Sequence, residues 1–202
     1  MKYLAIDTSG KNLIVIAKNG DKEEIFFDPD CGLNHSVTLM DAVEQTAQKI
    51  QLDLSSVDFF SCTLGAGSFT GIRIGVSTIK ALCFAYKKPC LPLTTFDAIA
   101  YNRQGEKILA LIDAKHNHFY ASGYDKNQNV IEPSYISKEE VLELEKEYKL
   151  LSFNEIVDLN VEVVSLVSGM KNFIDLNADK VSFDLESLSP VYVRKSQAEE
   201  GR

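Results

Sequence analysis

The sequence predicts an α/β protein of two related lobes, because one succession of apolar patterns occurs twice along the chain. Alternating segments typical of strands come first, then an amphipathic helical segment, then a buried strand that leads into a second helix. A weaker version of this order begins near residue 105. We expect a first lobe over residues 1–103, a smaller α/β lobe over 104–188, and a tail over 189–202 that packs back on the first lobe and frays at its end.

The strands of the first lobe follow from alternation and from β-branched content. Residues 2–6, 13–17 and 23–27 alternate in this way and predict an antiparallel meander at the amino terminus. Residues 57–64 form a continuous apolar run, which is typical of a buried strand.

Two helices are predicted in the first lobe. The first is expected to begin at a cap on Asn34 or Ser36 and to reach Ile50. The second spans residues 72–86 and carries only Arg73 and Lys80 as charges, so its apolar surface extends well beyond one stripe. Such a helix is buried on two sides, within its own lobe or against a second chain. Periodicity selects these candidate partner contacts: His35, Leu39, Met40, Val43, Ile72, Arg73, Val76 and Ile79.

The second lobe is predicted from weaker patterns. Strands are expected over 107–113, 118–124, 150–153 and 161–167, and a short helix over 96–101. Ser137 followed by Glu140 is a capping-box pattern, which predicts a charged helix that continues to Tyr148.

Composition narrows the functional classes. The 202 residues carry a net charge of -8, which argues against a chain that binds nucleic acid through its own phosphate contacts. No apolar run reaches the roughly 20 residues that a membrane span needs, and the first residues lack a secretory pattern, so we expect a cytoplasmic protein. The four cysteines form no C-x-x-C pair and lie in apolar segments, which favours reduced thiols in the core.

A glycine loop is the sharpest local signal, and it reads Gly65-Ala66-Gly67-Ser68-Phe69-Thr70-Gly71 between the buried strand and the second helix. Its glycines would let the backbone approach a phosphate at the start of the helix. No Lys follows Gly71, and the spacing differs from the dinucleotide fingerprint, so the loop is neither a P-loop nor a Rossmann turn. The alternative is a tight turn with close packing.

The remaining polar candidates for a ligand or metal site are the turn after the first strand and the histidines. Asp7-Thr8-Ser9 follows the first strand and would orient a phosphate or a metal-bound water, or simply end the strand as an Asx turn. The histidines show no metal-pair spacing, since Leu39 lies four residues after His35 and His116 is two residues from His118. We therefore predict no catalytic residue and no metal ligand in this chain.

Five motifs occur in order over essentially the whole chain. These are Leu4-Ala5-Ile6-Asp7-Thr8-Ser9, Asn34-His35-Ser36, the glycine loop continued through Ile72-Arg73-Ile74-Gly75, Asp113-Ala114, and Pro190-Val191-Tyr192-Val193-Arg194. Together they resemble the TsaB (YeaZ) family. The glycine block is the most specific of them. Ala66 stands where the family loop usually has proline, and Lys115-His116-Asn117-His118 differs from the usual residues after Asp113-Ala114.

The resemblance implies a two-lobed fold of the actin, Hsp70 and sugar-kinase class with a reduced second lobe. In that fold Asp7, Thr8, Gly65, Gly67, Ser68, Thr70 and Gly71 would be vestigial phosphate or nucleotide-binding positions. The catalytic paralogue, TsaD, is expected to hold a metal through a histidine pair in the stretch that corresponds to residues 89–101, and this chain has no histidine there.

The resemblance also implies a function. The chain is expected to be a pseudo-enzyme that needs no cofactor and supports TsaD, with the ATPase TsaE, in placing threonylcarbamoyl on the adenosine beside the anticodon of transfer RNAs that read codons beginning with A. ATP or ADP and metal are expected on those partners, transfer RNA is expected to be contacted indirectly through TsaD, and the chain alone is expected to pair with itself. The alternative is a nucleotide- or metal-dependent enzyme of the same superfamily, similar to the kinases or to the M22 peptidases.

Overall fold

The computed structural model describes residues 1–193, which separate into two compact units. The first unit contains Met1–Leu93 and Leu176–Val191, and the second contains Thr94–Asp175 and resumes at Tyr192. The boundaries therefore differ from the predicted ones: residues 94–103 lie in the second unit, and residues 176–188 lie in the first. The last residues of the predicted tail, 194–202, lie outside the described part.

A five-stranded sheet organises the first unit. Its strands are β1 (Lys2–Asp7), β2 (Leu13–Asn19), β3 (Lys22–Asp28), β4 (Phe59–Thr63) and β5 (Cys90–Leu93), in the order β3-β2-β1-β4-β5. The first three strands pair antiparallel, and β4 pairs parallel with both β1 and β5. The predicted meander and the predicted buried strand are confirmed.

Two long helices cover this sheet. They are α1 (His35–Lys49) and α2 (Phe69–Tyr86), and one apolar face of each lies in a core that also contains buried residues of β1, β2 and β4. The helical periodicity predicted for both segments is confirmed. Of the two predicted caps of α1, Asn34 is the N-cap residue but makes no side-chain hydrogen bond there, and Ser36 lies inside the helix.

The second unit has its own five-stranded sheet. Its strands are β6 (Lys107–Asp113), β7 (His118–Asp125), β8 (Gln128–Ser137), β9 (Lys149–Ser152) and β10 (Glu162–Val163), in the order β10-β9-β6-β7-β8. Its helices are α3 (Thr95–Ala100), α4 (Lys138–Leu144) and α5 (Leu166–Asn177), and the last two residues of α5 belong to the first unit.

The two sheets share one plan. In each, the first three strands form an antiparallel meander, and the next strand pairs parallel with the first strand of that meander. This repetition confirms the α/β prediction of two related lobes and the fold class that the resemblance implied.

Several elements of the second unit differ from the predictions. The edge strand β8 was not predicted, because its sequence is polar and contains Pro133. Only Glu162–Val163 of the predicted strand over 161–167 is extended, and α5 begins at Leu166. The buried residues Leu166, Met170 and Ile174 show the helical period that the preceding β-branched run obscured. Helix α4 ends at Leu144 rather than at Tyr148.

Candidate functional site

The carboxylate of Asp7 lies at the end of β1 and is buried, with 1% of the residue exposed. Its Oδ1 accepts hydrogen bonds from the backbone N–H of Ser9, at 2.9 Å, and from the hydroxyl of Thr63 at the end of β4. Its Oδ2 is also buried and has no hydrogen-bond partner within residues 1–193. Parallel pairing of β1 with β4 brings these groups together, because both strands end at the same edge of the sheet.

The glycine loop packs directly against this turn. The backbone N–H of Ser68 donates to the carbonyl of Ser9 at 2.6 Å, and the hydroxyl of Thr8 donates to the carbonyl of Gly71 at 2.7 Å. The two predicted phosphate-binding segments therefore lie together and are joined to each other by hydrogen bonds.

Glycine is required where the two segments meet. A Cβ atom on Gly67 would overlap the backbone carbonyl of Ser9, and one on Gly71 would overlap that of Thr8. Both obstacles are backbone atoms, which cannot rotate away. The close-packing interpretation of the loop therefore has a direct structural cause.

The start of α2 uses further donors of the loop. The Ser68 side chain caps the helix by accepting from the N–H of Gly71 at 3.3 Å, and the N–H of Ile72 donates to the Ser68 carbonyl at 2.9 Å. The N–H groups of Ser68 and Gly71 are thus already bonded to protein oxygens. The residues at the surface of the loop are Gly67, Ser68 and Thr70.

The second unit repeats the aspartate turn at the end of β6. There Oδ1 of Asp113 accepts from the N–H of Lys115 at 2.8 Å, and Oδ2 accepts from the Lys115 ammonium at 2.8 Å. Partial burial acts to raise the pKa of Asp113, but these bonds from Lys115 outweigh it and lower that pKa below its usual value. The same type of turn therefore contains a buried carboxylate, Asp7, in the first unit and an exposed, ion-paired carboxylate, Asp113, in the second.

The two histidines of this region lie in or directly after the turn that follows Asp113. His116 lies in the turn between β6 and β7 with φ of 55°, and His118 begins β7 with its Nδ1 at 2.8 Å from the His116 carbonyl. The His118 ring stacks on Tyr135 at a centroid distance of 4.8 Å.

Most of the predicted partner contacts lie in the core of the first unit, and this corrects the prediction. The buried ones are exposed by 5% or less: His35, Leu39, Val43, Ile72, Val76 and Ile79. Periodicity identified the apolar face correctly, but that face packs on the unit's own sheet. His35 donates through Nε2 to the carbonyl of Asn12 at 2.9 Å, so it joins α1 to the turn before β2. Of the predicted set, only Met40 and Arg73 are exposed.

Exposed apolar side chains occur on the outer side of the same helices. Met40 is 50% exposed, Val37 is 75% exposed and Phe84 is 81% exposed, while Leu33, just before α1, is 99% exposed. A groove of about 530 Å³ lies between α1 and the first half of α2, with Met40, Phe69, Arg73 and Ile74 among its lining residues. In the sequence, this surface is indicated by apolar residues, such as Val37 and Phe84, that lie outside the main apolar stripe of each helix.

Residues 1–193 contain no group of three or more His, Cys, Asp or Glu side chains placed to hold a metal ion. The four cysteines are free and buried, so the predicted placement of these side chains in the core is confirmed. None of the described helices has the length and apolar character needed to span a membrane.

Comparison with known proteins identifies relatives. A family model described as "TsaD: tRNA N6-adenosine threonylcarbamoyltransferase" matches residues 29–199. The tRNA threonylcarbamoyladenosine biosynthesis protein TsaB of Bacillus subtilis is 26% identical, over 98% of this chain and 96% of its own length. The protein of the same name from Haemophilus influenzae is 29% identical, over 60% of this chain and 53% of its own length.

Solved structures agree on the fold. YeaZ from Pseudomonas aeruginosa superposes with a TM-score of 0.73 at 18% identity, covering 95% of this chain and 99% of that one. A second Pseudomonas aeruginosa structure, described as similar to peptidase YEAZ, gives a TM-score of 0.78 at 21% identity, covering 96% of this chain and 99% of its own. The chain belongs to the TsaB (YeaZ) family, within the wider family that the TsaD model describes.

Proposed function

We propose that this chain is a non-catalytic TsaB-type subunit in the biosynthesis of tRNA threonylcarbamoyladenosine. In this proposal it binds and supports the TsaD paralogue, together with the ATPase TsaE, in modifying transfer RNAs that read codons beginning with A. The relatives that carry the TsaB name support the process, and the packing around Asp7 supports the role.

The observation that carries the proposal is the closure of the glycine loop on the Asp7 turn. Phosphate binding by such a loop needs unpaired backbone N–H groups and room for the backbone to approach the ligand. Here Ser68 and Gly71 donate to protein oxygens, and the glycines face the carbonyls of Thr8 and Ser9. In this proposal the loop therefore serves to stabilise the fold.

Docking is supported by the outer surface of α1 and α2. Exposed apolar side chains on neighbouring helices, beside a groove, are typical of a surface that a second protein covers. Met40 belongs to this surface because it lines the groove and is half exposed. In the proposal this surface contacts TsaD, and in the absence of TsaD it contacts a second copy of the chain.

In this proposal the partner proteins bind the cofactors and the transfer RNA. The net charge of -8 disfavours an extended phosphate contact by this chain, so TsaD holds the transfer RNA. In the proposal ATP or ADP and metal bind to TsaD and TsaE, and this chain requires neither a nucleotide nor a metal.

Reconstitution tests the proposal. Purified TsaD and TsaE from the same organism are incubated with transfer RNA and threonylcarbamoyl-adenylate, with and without this protein, and the modified nucleoside is quantified. We expect product only when the chain is present, and we expect Met40→Glu to abolish both complex formation and stimulation. The matched control is Val157→Glu, at a side chain of the second unit that is 85% exposed. Product formation that is indifferent to this protein would overturn the proposal.

One observation favours a second candidate, a nucleotide- or metal-dependent enzyme. The buried Oδ2 of Asp7 has no hydrogen-bond partner among the described residues, and a buried carboxylate oxygen is normally bonded or bound to a cation. Calorimetry of the isolated chain with ATP and Mg²⁺ separates the two candidates. Micromolar binding with turnover that Asp7→Asn removes would favour the enzyme.

A further inference from the structure

A second groove lies along the later half of α1, and its floor is apolar. It has a volume of about 380 Å³ and runs between α1, the turn at residues 52–54 and the end of α2. The apolar side chains that line it are Met40, Val43, Ala47, Leu52, Leu54 and Tyr86.

Two of these side chains are suited to contact another protein. Met40 is 50% exposed and Tyr86 is 38% exposed, and the Tyr86 ring packs against Phe60 at a centroid distance of 6.0 Å. A flexible thioether and a tyrosine held by the core are side chains that protein interfaces favour. The groove therefore offers apolar contact area that water covers in the isolated chain.

Carboxylates stand beside this apolar floor. Asp41 and Glu44 both line the groove, one helical turn apart, where like charges repel each other. Within residues 1–193 neither makes an ion pair, and Glu44 accepts only from the uncharged side chain of Gln48, at 2.9 Å.

The nearest basic residue of α1 does not neutralise them. Lys49 extends to Glu24 of β3 instead, with Nζ and Oε1 at 2.6 Å. Asp53, which also lines the groove, accepts from both the hydroxyl and the backbone N–H of Ser55. These bonds, together with the charges of Lys2 and Lys88, lower the pKa of Asp53 below its usual value. The rim of the groove is therefore acidic and lacks an internal counterion at Asp41 and Glu44.

We propose that this groove binds a segment of the TsaD paralogue in which apolar side chains are flanked by Lys or Arg, and that Asp41 and Glu44 select it. This inference rests on the proposed function, because Met40 lines both this groove and the one between α1 and the first half of α2. One continuous surface therefore runs along α1, with an acidic end that a basic segment complements.

Charge complementarity of this kind acts mainly on association. Opposite charges across an interface raise the association rate, and salt screens the effect. The acidic rim therefore predicts a salt-dependent association rate that is traceable to Asp41 and Glu44, while the apolar floor around Met40 supplies contact that salt does not screen.

The test measures binding of purified TsaD paralogue to the immobilised chain at 50 mM and 500 mM NaCl. The variant is Asp41→Asn with Glu44→Gln, which keeps the shape of both side chains and removes both charges. We expect its association to be about tenfold slower than that of the wild-type chain at 50 mM, with the two rates converging at 500 mM. Asp41→Lys with Glu44→Lys should slow association further.

A control double variant removes the same charge elsewhere. Glu143→Gln with Glu147→Gln alters two carboxylates of the second unit, and it should leave the rate close to that of the wild-type chain. Circular dichroism and urea unfolding establish that all the variants are folded. Equal rates for the two double variants at 50 mM, with binding retained, would overturn this inference alone, whereas a wild-type chain that does not bind the paralogue would overturn the proposed function as well.

Discussion

Thr63 and Thr46 are two buried threonines whose hydroxyl groups should contribute differently to the stability of the chain. Both residues are exposed by 3% or less. The hydroxyl of Thr63 donates to the buried carboxylate of Asp7, whereas that of Thr46 donates to the Ala42 carbonyl one turn earlier in α1, at 2.5 Å. A buried carboxylate depends on each donor it has, but a helical carbonyl already accepts from its own backbone.

Replacement of Thr63 by valine should therefore destabilise the chain. We expect Thr63→Val to lower the free energy of unfolding by about 1–3 kcal/mol, because Asp7 Oδ1 loses a buried donor. Thr46→Val is the matched control and should change that free energy by less than about 0.5 kcal/mol. Urea unfolding followed by circular dichroism measures both, and equal losses would contradict the proposed importance of the Asp7 bond.

Gly71 is a position at which helix propensity and packing give opposite expectations. It lies in the first turn of α2, where alanine is favoured over glycine by about 1 kcal/mol. A Cβ there would overlap the Thr8 carbonyl. We expect the overlap to dominate, so that Gly71→Ala lowers the free energy of unfolding by about 1–3 kcal/mol.

Gly10 provides the control for this substitution. It has no positive φ, and a Cβ atom on it would lie 3.9 Å from its nearest neighbour, the Asn12 nitrogen. Gly10→Ala should leave the free energy of unfolding unchanged or raise it by up to about 1 kcal/mol. A stabilised Gly71→Ala protein in the same urea assay would show that the loop and the turn are less tightly packed than the distances indicate.

At the scale of elements, α1 and α4 begin in different ways. Helix α4 has a capping box, in which the N–H of Glu140 donates to the Ser137 hydroxyl at 3.3 Å and the N–H of Ser137 donates to the Glu140 carboxylate at 2.7 Å. Helix α1 has no side-chain cap, since a 3-10 turn over Gly32–Asn34 leads directly into it. The sequence pattern located both starts, but at α1 the cap residue Asn34 makes no side-chain hydrogen bond, because the preceding 3-10 turn leaves it without the extended backbone of a capping residue.

These two starts predict different effects of alanine. Ser137→Ala should lower the free energy of unfolding by about 1 kcal/mol, because it removes a cap. Ser36→Ala should alter it by less than about 0.5 kcal/mol, because Ser36 lies on the exposed side of α1. Thermal unfolding followed by circular dichroism compares them, and a larger effect at Ser36 would contradict the helix start described above.

The apolar faces of α1 and α2 show what periodicity predicts at this scale. It identified Leu39, Val43, Ile72 and Val76 as one face of each helix, and that is correct. It did not indicate which surface covers that face, because a sheet of the same chain and a second protein require the same spacing. Only the packing shows that these residues are core and that Met40 and Phe84 point outward.

At the scale of the whole molecule, the chain returns to its first unit near its end. Ser182 exchanges backbone hydrogen bonds with Cys90, at 2.8 and 2.9 Å, and the N–H of Val191 donates to the Leu64 carbonyl at 2.7 Å. The sulfur of Cys90 lies 3.4 Å from the Ser182 carbonyl. Residues 176–191 therefore complete the core that residues 1–93 begin.

Leu188 should accordingly be important for the first unit. It is fully buried in that core, so Leu188→Ala should lower the free energy of unfolding by about 2–5 kcal/mol. Val157→Ala, at a side chain that is 85% exposed, should change it by less than about 0.5 kcal/mol. A small effect at Leu188 in urea unfolding would mean that the returning segment adds little to the first unit.

The sequence alone determined the strands of the first meander, the first two strands of the second, the two long helices with their core-facing residues, and the motifs of the family. These features are local, since alternation and helical spacing are set by residues a few positions apart. The tertiary structure alone decided that the glycine loop closes on the Asp7 turn, that β8 forms an edge strand, and that residues 176–191 rejoin the first unit. Each of these features depends on contacts between segments that are distant in the sequence, such as that of Thr8 with Gly71, 63 residues apart. Local patterns do not predict such contacts, because they depend only on residues a few positions apart.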